Sequence, residues 1–159
     1  MLSFWVAPRE LNVRCLKRGR RVLTIQYEIN KVITIDQFIR ILERSGLGER
    51  RPINDKQCVE QMLENADLLV TAWLDDNLVG VARSVTDFGY CCYLSDLAVD
   101  RSVQRAGIEK QLIHLTKERL GPKCKLILLS APAASDYYPH LGFERHPSAW
   151  VLHKHQDVK

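Results

Sequence analysis

The sequence of 159 residues predicts one α/β domain, of the α+β kind, built around a mixed sheet. Apolar runs typical of strands alternate with amphipathic stretches typical of helices, in the order β-α-α-β-β-β-α-β-α-β. Tight turns join the three middle strands, which favours antiparallel hairpins, whereas a helix joins two later strands, which favours a parallel crossover. A chain of this length can bury a full core without disulfides or metals.

The chain opens with one strand and two helices. Residues 22–29 alternate apolar and polar side chains, which predicts a half-buried strand at or near the edge of the sheet. A helix follows from Thr34, whose side chain can form a capping box with Gln37, and the helix ends at Gly46. Residues 46–55 are predicted to form a loop before the second helix.

The middle of the chain predicts three consecutive strands. Residues 67–74 are apolar nearly throughout, which is typical of a strand buried on both faces. The strands 78–85 and 90–99 follow after turns rich in Asp, Asn and Gly. The remaining elements after the central helix are strands at 125–130 and 150–153 and a short helix at 135–141.

Residues 93–120 form the stretch with the clearest chemistry. A buried strand runs into a polar loop at 100–106, and Ile108, Leu112 and Leu115 then mark one face of a helix. A loop with a glycine at a helix start presents unpaired backbone N–H groups to the positive end of the helix dipole. That arrangement predicts a phosphate-binding site.

This stretch resembles the acetyl-CoA motif of the GNAT superfamily of acyl-CoA-dependent N-acyltransferases. In that motif a strand ending in an L-A-V-like triplet is followed by [QR]-x-x-G-x-[GA] and a helix. The matching residues are Gln104, Arg105, Ala106, Gly107, Ile108 and Glu109. Residues 133–143 resemble a second family segment, A-x-x-[FY]-Y-x-x-x-G-F. The resemblance covers roughly residues 22–153.

The resemblance implies a GNAT-like sheet of six to seven strands, splayed between strands four and five into an acetyl-CoA cleft. It also implies a bulge at residues 97–99 that exposes backbone groups for the pantetheine arm, and a loop that holds the pyrophosphate. A plain core strand is the competing interpretation of residues 97–99. The predicted cofactor-binding residues are Leu97, Ala98, Val99, Gln104, Arg105, Ala106, Gly107, Ile108, Glu109 and Lys110.

Glu109 departs from the motif, which has Gly or Ala at that position. A carboxylate ~6 Å from a phosphate costs roughly 3 kcal/mol at an effective dielectric constant of ~20. The favourable interaction of the carboxylate with the positive end of the helix dipole offsets only about 0.3–1 kcal/mol of this cost. Cofactor binding is therefore weakened if Glu109 faces the pyrophosphate. The cost mostly vanishes if Glu109 turns to solvent or pairs with Lys110 or Arg105.

The resemblance implies direct transfer of an acetyl group from acetyl-CoA to an amine. Tyr138 matches the family tyrosine that protonates the departing thiolate. Asp96 is the predicted general base and Glu28 is the alternative, although each is compatible with a purely structural role. Arg50 and Arg51 lie in the predicted 46–55 loop and either bind an acidic acceptor or are solvated.

Charge and composition limit the partners. Residues 1–21 carry a net charge of +5 and are predicted to be a basic extension, disordered or outside the fold, whereas residues 22–159 carry −1 and form the domain. No nucleic-acid partner is expected for a near-neutral domain. Scattered histidines and five cysteines without a C-x-x-C spacing predict no metal site and favour the cytoplasm. No apolar run reaches the ~20 residues of a membrane span.

The predicted function is an acetyl-CoA-dependent N-acetyltransferase whose acceptor is a small-molecule or peptide amine. An acetyltransferase toxin acting on aminoacyl-tRNA is a variant of this prediction, and the near-neutral domain argues against it. The alternatives from other classes are a catalytically weakened GNAT-fold module that binds CoA and a fold that serves only protein interaction. The oligomeric state, including a homodimer, stays open.

Overall fold

The computed structural model describes residues 11–18 and 21–158. Within these residues six strands form one sheet in the order β1-β2-β3-β4-β5-β6. The strands are β1 Leu11–Arg18, β2 Arg21–Ile29, β3 Leu68–Leu74, β4 Asn77–Thr86, β5 Cys91–Val99 and β6 Lys125–Ile127. The α-helices are α1 Ile35–Ser45, α2 Lys56–Glu64 and α3 Ile108–Glu118, and short 3-10 helices span Leu47–Arg50, Arg101–Val103, Pro132–Ala134 and Tyr138–Leu141.

The sheet is mixed, as predicted. Neighbouring strands from β1 to β5 are antiparallel, and β5 and β6 are parallel because α3 returns the chain to the same end of the sheet. The chain divides into two compact units, residues 1–128 and 129–159. The described strands and α-helices belong to the first unit, whereas the described part of the second contains two 3-10 helices.

Two helices cover one face of the sheet. Phe38, Ile41 and Leu42 of α1 and Val59 of α2 are buried in a cluster with side chains of β3, β4 and β5. The capping box predicted for α1 is present, with Thr34 Oγ1 accepting from the backbone N–H of Gln37 at 3.1 Å. These local signals explain why the first helix begins where the sequence predicts it.

The third helix covers the opposite face. Ile108, Leu112 and Leu115 of α3 are fully buried, which confirms the predicted apolar stripe. A Cβ atom at Gly80 of β4 would lie 3.1 Å from Ile108 and 3.2 Å from Leu112, so glycine there lets the helix approach the sheet closely. This close packing sets the position of the α3 N-terminus relative to the end of β5.

The structure differs from the predicted elements at both ends of the chain. Residues 11–18, which the charge pattern assigned to an extension, pair with β2 as strand β1. Charged side chains are common on edge strands, so a basic composition did not exclude a strand. The predicted strand 150–153 is wrong, because these residues form no strand. The predicted helix at 135–141 is replaced by 3-10 turns, and β6 ends at Ile127.

The two edges of β5 are paired very differently. Its pairing with β4 extends from Cys92 to Val99, whereas β6 pairs only with residues 91–93. No described strand pairs with the other edge of residues 94–99. This is the splayed opening that the resemblance implies. It lies between β5 and β6, which correspond to the fourth and fifth predicted strands because β1 was not among the predicted strands. The bulge is at Ser95, which has no partner in β4, and the prediction of a bulge at residues 97–99 is wrong.

Candidate functional site

The chain leaving β5 is anchored by Asp100. Its backbone N–H donates to the carbonyl of Val79 at 2.9 Å, and its carboxylate accepts from the N–H of Ser102 at 2.8 Å. The other carboxylate oxygen lies 3.4 Å from Nη1 of Arg44 in α1. Because Asp100 is buried, these contacts fix the start of the loop that leads to α3.

The conformation of the loop from residue 104 to residue 107 is set mainly by its own backbone dihedral angles. Gln104 is extended, and its side-chain amide donates to the carbonyl of Val99 at 3.3 Å. Arg105 has φ +64 and Gly107 has φ +74, both in the left-handed region. Only glycine adopts that region readily, so the left-handed Arg105 marks local strain of the kind found at binding sites.

The N-terminus of α3 fits an anion. Gly107 is the N-cap residue and supplies no side-chain cap, and the first backbone bond of the helix runs from Gln111 N–H to the Gly107 carbonyl at 3.1 Å. The N–H groups of Ile108, Glu109 and Lys110 therefore have no acceptor within the helix. Three N–H groups at the positive end of the dipole form the donor set that a pyrophosphate needs.

Glu109 lies in the first turn of α3 and is partly exposed. Among the described residues its carboxylate forms no ion pair, so neither Lys110 nor Arg105 neutralises it. Its negative charge therefore stays beside the N–H groups that fit an anion. This is the arrangement in which we expect an anionic ligand to bind less tightly than it would beside a neutral residue.

Two arginines hold the bulge of β5. Asp96 has 0% exposure, and its two oxygens accept from Nε of Arg51 and from Nε of Arg83, both at 2.5 Å. Arg51 Nη2 also donates to the carbonyl of Ser95 at 2.7 Å, and Arg83 Nη2 donates to the Ser95 hydroxyl at 2.8 Å. Arg83 Nη1 donates to the carbonyl of Met62 in α2 at 3.1 Å. Both carboxylate oxygens of Asp96 and the hydroxyl of Ser95 thus have hydrogen-bond partners.

The family model described as Acetyltransferase (GNAT) domain matches residues 47–154. The chain belongs to the GNAT acetyltransferase family. The match spans the helix α2, the bulge, the loop and α3, so it covers the site described above. No curated protein matches the chain in the sequence comparison.

Solved GNAT structures share the fold. A GNAT-family acetyltransferase from Streptococcus pneumoniae has a TM-score of 0.66 at 19% identity, covering 82% of this chain and 99% of that one. An aminoglycoside acetyltransferase from a soil metagenomic sample, in complex with sisomicin, has 0.56 at 21% identity, covering 85% and 97%. An aminoglycoside N-acetyltransferase in complex with CoA has 0.64 at 16% identity, covering 87% and 100%.

The two predicted candidates for the base lie in different surroundings, and the catalytic role of each stays a prediction. Both oxygens of Asp96 accept from arginines, and the side chain has no exposed surface. Glu28 forms an ion pair with Lys31 at 3.7 Å. The register Glu28, Thr71, Val81, Ala98 places Glu28 three strand spacings from β5, about 14 Å away.

Tyr138 begins the last 3-10 helix of the second unit. Its ring packs edge to face on Tyr137, with ring centroids 5.8 Å apart, and on Phe143, with centroids 5.6 Å apart. Gly142, at φ +85, ends this helix. The segment that resembles A-x-x-[FY]-Y-x-x-x-G-F thus forms an aromatic turn in the structure. The catalytic role of Tyr138 stays a prediction.

Arg83 is the residue of this cluster that the sequence interpretation missed. It lies within a strand that is buried over most of its length, and its own exposure is only 5%. A charged side chain is almost never fully buried unless it is paired. A lone arginine in an apolar strand was therefore a signal that a buried acid faces it, and Asp96 is that acid.

A cavity of about 600 Å³ lies elsewhere in the first unit, between residues 30–35 and α2. Its wall is mostly apolar and includes Leu69, which is two strand spacings, roughly 10 Å, from β5. In the described part of the chain no three His, Cys, Asp or Glu side chains group into a metal site. No helix there is long and apolar enough to cross a membrane.

Proposed function

We propose that this GNAT protein is an N-acetyltransferase that transfers an acetyl group from acetyl-CoA directly to a primary amine of its acceptor. The observation that carries the proposal is the edge of β5 at residues 94–99, which pairs with none of the described strands and leads, through the 100–107 loop, to the uncapped N-terminus of α3. Related folds that bind CoA and the aminoglycoside sisomicin support a CoA donor and a small polyamine acceptor.

The backbone would hold the donor at two places. The N–H groups of Ile108, Glu109 and Lys110 would donate hydrogen bonds to the pyrophosphate oxygens, and the exposed side chain of Arg105 adds a positive charge nearby. The backbone N–H and C=O groups of Leu97 and the N–H of Val99 would pair with the amides of the pantetheine arm, as a further strand would, whereas the Val99 carbonyl accepts from Gln104. Acetyl-CoA, when bound, supplies a thioester that is activated toward attack by an amine.

This chain then has two proton movements to manage. When the amine displaces the sulfur from the acetyl carbonyl carbon, the Tyr138 hydroxyl would donate a proton to the leaving sulfur, and the Tyr138 phenolate would regain a proton from solvent water. The attacking nitrogen loses one proton. Because both oxygens of Asp96 are held by arginines, we propose that this proton leaves to solvent water rather than to Asp96.

The proposal is tested first by titration calorimetry with acetyl-CoA and then by thiol release with a panel of amines. The panel contains sisomicin, spermidine, free amino acids and a peptide with a free N-terminus. We expect micromolar binding of acetyl-CoA and thiol release with at least one polyamine. Absence of acetyl-CoA binding would overturn the proposal.

A second candidate function is a module that binds CoA without turnover. Glu109 favours it, because repulsion from its carboxylate would displace a bound pyrophosphate and the thioester with it, and such a displacement lowers turnover more than binding. Retained CoA binding with no thiol release for any amine of the panel would support this module. Release that depends on an amine would exclude it.

Replacing Tyr138 by Phe tests the proton donor. We expect Tyr138→Phe to lower the turnover number by about 10²–10⁴, because a general acid contributes a factor of that size. The affinity for acetyl-CoA should stay unchanged in calorimetry. Tyr137→Phe removes the hydroxyl of the neighbouring ring and is the matched control. Unchanged turnover in Tyr138→Phe would assign Tyr138 to packing alone.

A further inference from the structure

We propose that Arg51 is a positioning residue of the donor site, which fixes the bulge of β5 and ties the loop 46–55 to it. This inference rests on the proposed function, because it assigns a purpose to the β5 edge. The Arg51 side chain comes from outside the sheet, directly after the 3-10 helix Leu47–Arg50. Its guanidinium nevertheless reaches Ser95, the bulge residue that interrupts the register of β5 with β4.

All three nitrogens of the Arg51 guanidinium donate hydrogen bonds. Nε donates to Asp96 at 2.5 Å, Nη2 donates to the carbonyl of Ser95 at 2.7 Å, and Nη1 donates to the carbonyl of Arg50 at 2.9 Å. One planar group therefore joins the backbone of the loop to both the backbone and the side chain of the bulge. A lysine has a single nitrogen and cannot make these three contacts together.

The bulge decides which backbone groups face the opening. Successive residues of a strand point their N–H and C=O groups alternately toward the two neighbouring strands, so a one-residue shift exchanges the edge of every following residue. Ser95 is the extra residue before Leu97 and Val99. If the bulge relaxed into a regular ladder, different groups of residues 96–99 would face the acyl donor.

Arg83 and Arg51 contact the bulge from different elements of the fold. Arg83 belongs to β4, its exposure is 5%, and it is also bonded to α2, so it is part of the core. Arg51 belongs to the loop, and its side chain is 21% exposed. Removal of Arg51 leaves Asp96 paired with Arg83 as a neutral buried pair. We therefore expect the sheet to fold without Arg51, with a less rigid bulge.

The test compares Arg51→Ala with Arg50→Ala, the matched control. Arg50 precedes Arg51, carries the same charge and is exposed, and only its backbone carbonyl contacts Arg51. Hydrogen exchange is measured by mass spectrometry in the ligand-free proteins, and the affinity for acetyl-CoA is measured by calorimetry. Thermal melting establishes that each variant is folded. If Arg51→Ala does not fold, Arg51→Lys replaces it in the comparison.

We expect Arg51→Ala to bind acetyl-CoA about tenfold more weakly, because charge-assisted bonds to the bulge are lost. Exchange should accelerate in the peptide covering residues 94–99 and stay unchanged in α3. Arg50→Ala should alter the affinity less than about twofold. Added guanidinium should partly restore the affinity of Arg51→Ala, because it can occupy the vacated position beside Asp96 and Ser95.

The outcomes separate this inference from the proposed function. If the unmodified protein does not bind acetyl-CoA, the proposed function and the role of Arg51 are both overturned. If it binds and Arg51→Ala binds equally well, only the role of Arg51 is overturned. Weaker binding without faster exchange at residues 94–99 would also overturn the role, because Arg51 would then contact the donor directly.

Discussion

The bulge of β5 and the loop 104–107 both offer backbone groups to the same candidate site, and they are held in opposite ways. Buried, charge-assisted side-chain contacts fix the bulge around Asp96. The loop relies on the left-handed backbone of Arg105 and Gly107 and on one side-chain bond from Gln104. Substitutions in the bulge should therefore reduce stability first, whereas substitutions in the loop should reduce ligand binding first.

The largest effect is expected for Asp96→Ala. The variant leaves Arg51 and Arg83 without their shared carboxylate, and an uncompensated buried charge costs about 3–5 kcal/mol of unfolding free energy. Urea denaturation measures the change. The surface pair of Asp36 and Lys56 supplies the control, because Asp36→Ala should cost at most about 1 kcal/mol. Similar losses for both variants would contradict a structural role for Asp96.

The second prediction concerns the backbone of the loop. Gly107→Val places a β-branched side chain at φ +74, which costs about 1–2 kcal/mol, and the side chain crowds the N–H groups of α3. We expect the affinity for acetyl-CoA to fall more than about tenfold in calorimetry.

Gly142→Val is the control for this strain. Gly142 has φ +85, and a Cβ atom there would meet no atom within 4 Å. Both variants should lose similar stability, but only Gly107→Val should lose affinity. An equal loss of affinity would show that general destabilisation, rather than the loop, explains the effect.

A smaller effect is expected when the charge of Glu109 is removed. Glu109→Gln should tighten acetyl-CoA binding by about three- to tenfold at low ionic strength, with a weaker gain in high salt. Glu109→Gly should tighten it at least as much. Glu118→Gln, at the other end of α3, is the control, because its carboxylate pairs with His114 at 3.1 Å, away from the loop. Equal affinity in the unmodified protein, Glu109→Gln and Glu109→Gly would remove Glu109 as an obstacle to binding.

The smallest effect concerns Asp87, in the turn before β5. Backbone N–H groups of Tyr90 and Cys91 donate to its carboxylate and lower the pKa of Asp87 below its ordinary value of 3.8. The ionised carboxylate therefore stabilises the fold above that value, and this contribution is lost as the pH falls through the lowered pKa.

Thermal melting of Asp87→Ala at several pH values tests whether the ionised carboxylate of Asp87 stabilises the fold. The melting temperature should lie below that of the unmodified protein near neutral pH, and the difference should shrink in acid. Asp87→Asn, which keeps an oxygen acceptor but loses the charge, should fall between the two at neutral pH. A difference that does not depend on pH would exclude the carboxylate as its source.

Much of the proposed donor site, and the start of α1, could be predicted from local patterns. The apolar stripe of α3, the glycine at residue 107 and the capping box at Thr34 each involve residues a few positions apart, so their spacing alone predicts them. The family motif then indicated which helix N-terminus would meet the donor. The departure at Glu109 was equally visible, but the sequence did not show that its carboxylate forms no ion pair with any described residue.

The sequence by itself determined the order of the elements from β2 to β6, including the α3 helix and the glycine at its start. Only the tertiary structure decided that Asp96 faces two arginines, that the bulge lies at Ser95 and that residues 11–18 join the sheet while 150–153 do not. The physical reason is the distance along the chain over which each interaction acts. Periodicity and capping act within a few residues, whereas strand pairing and the burial of a charge depend on partners far away in the chain.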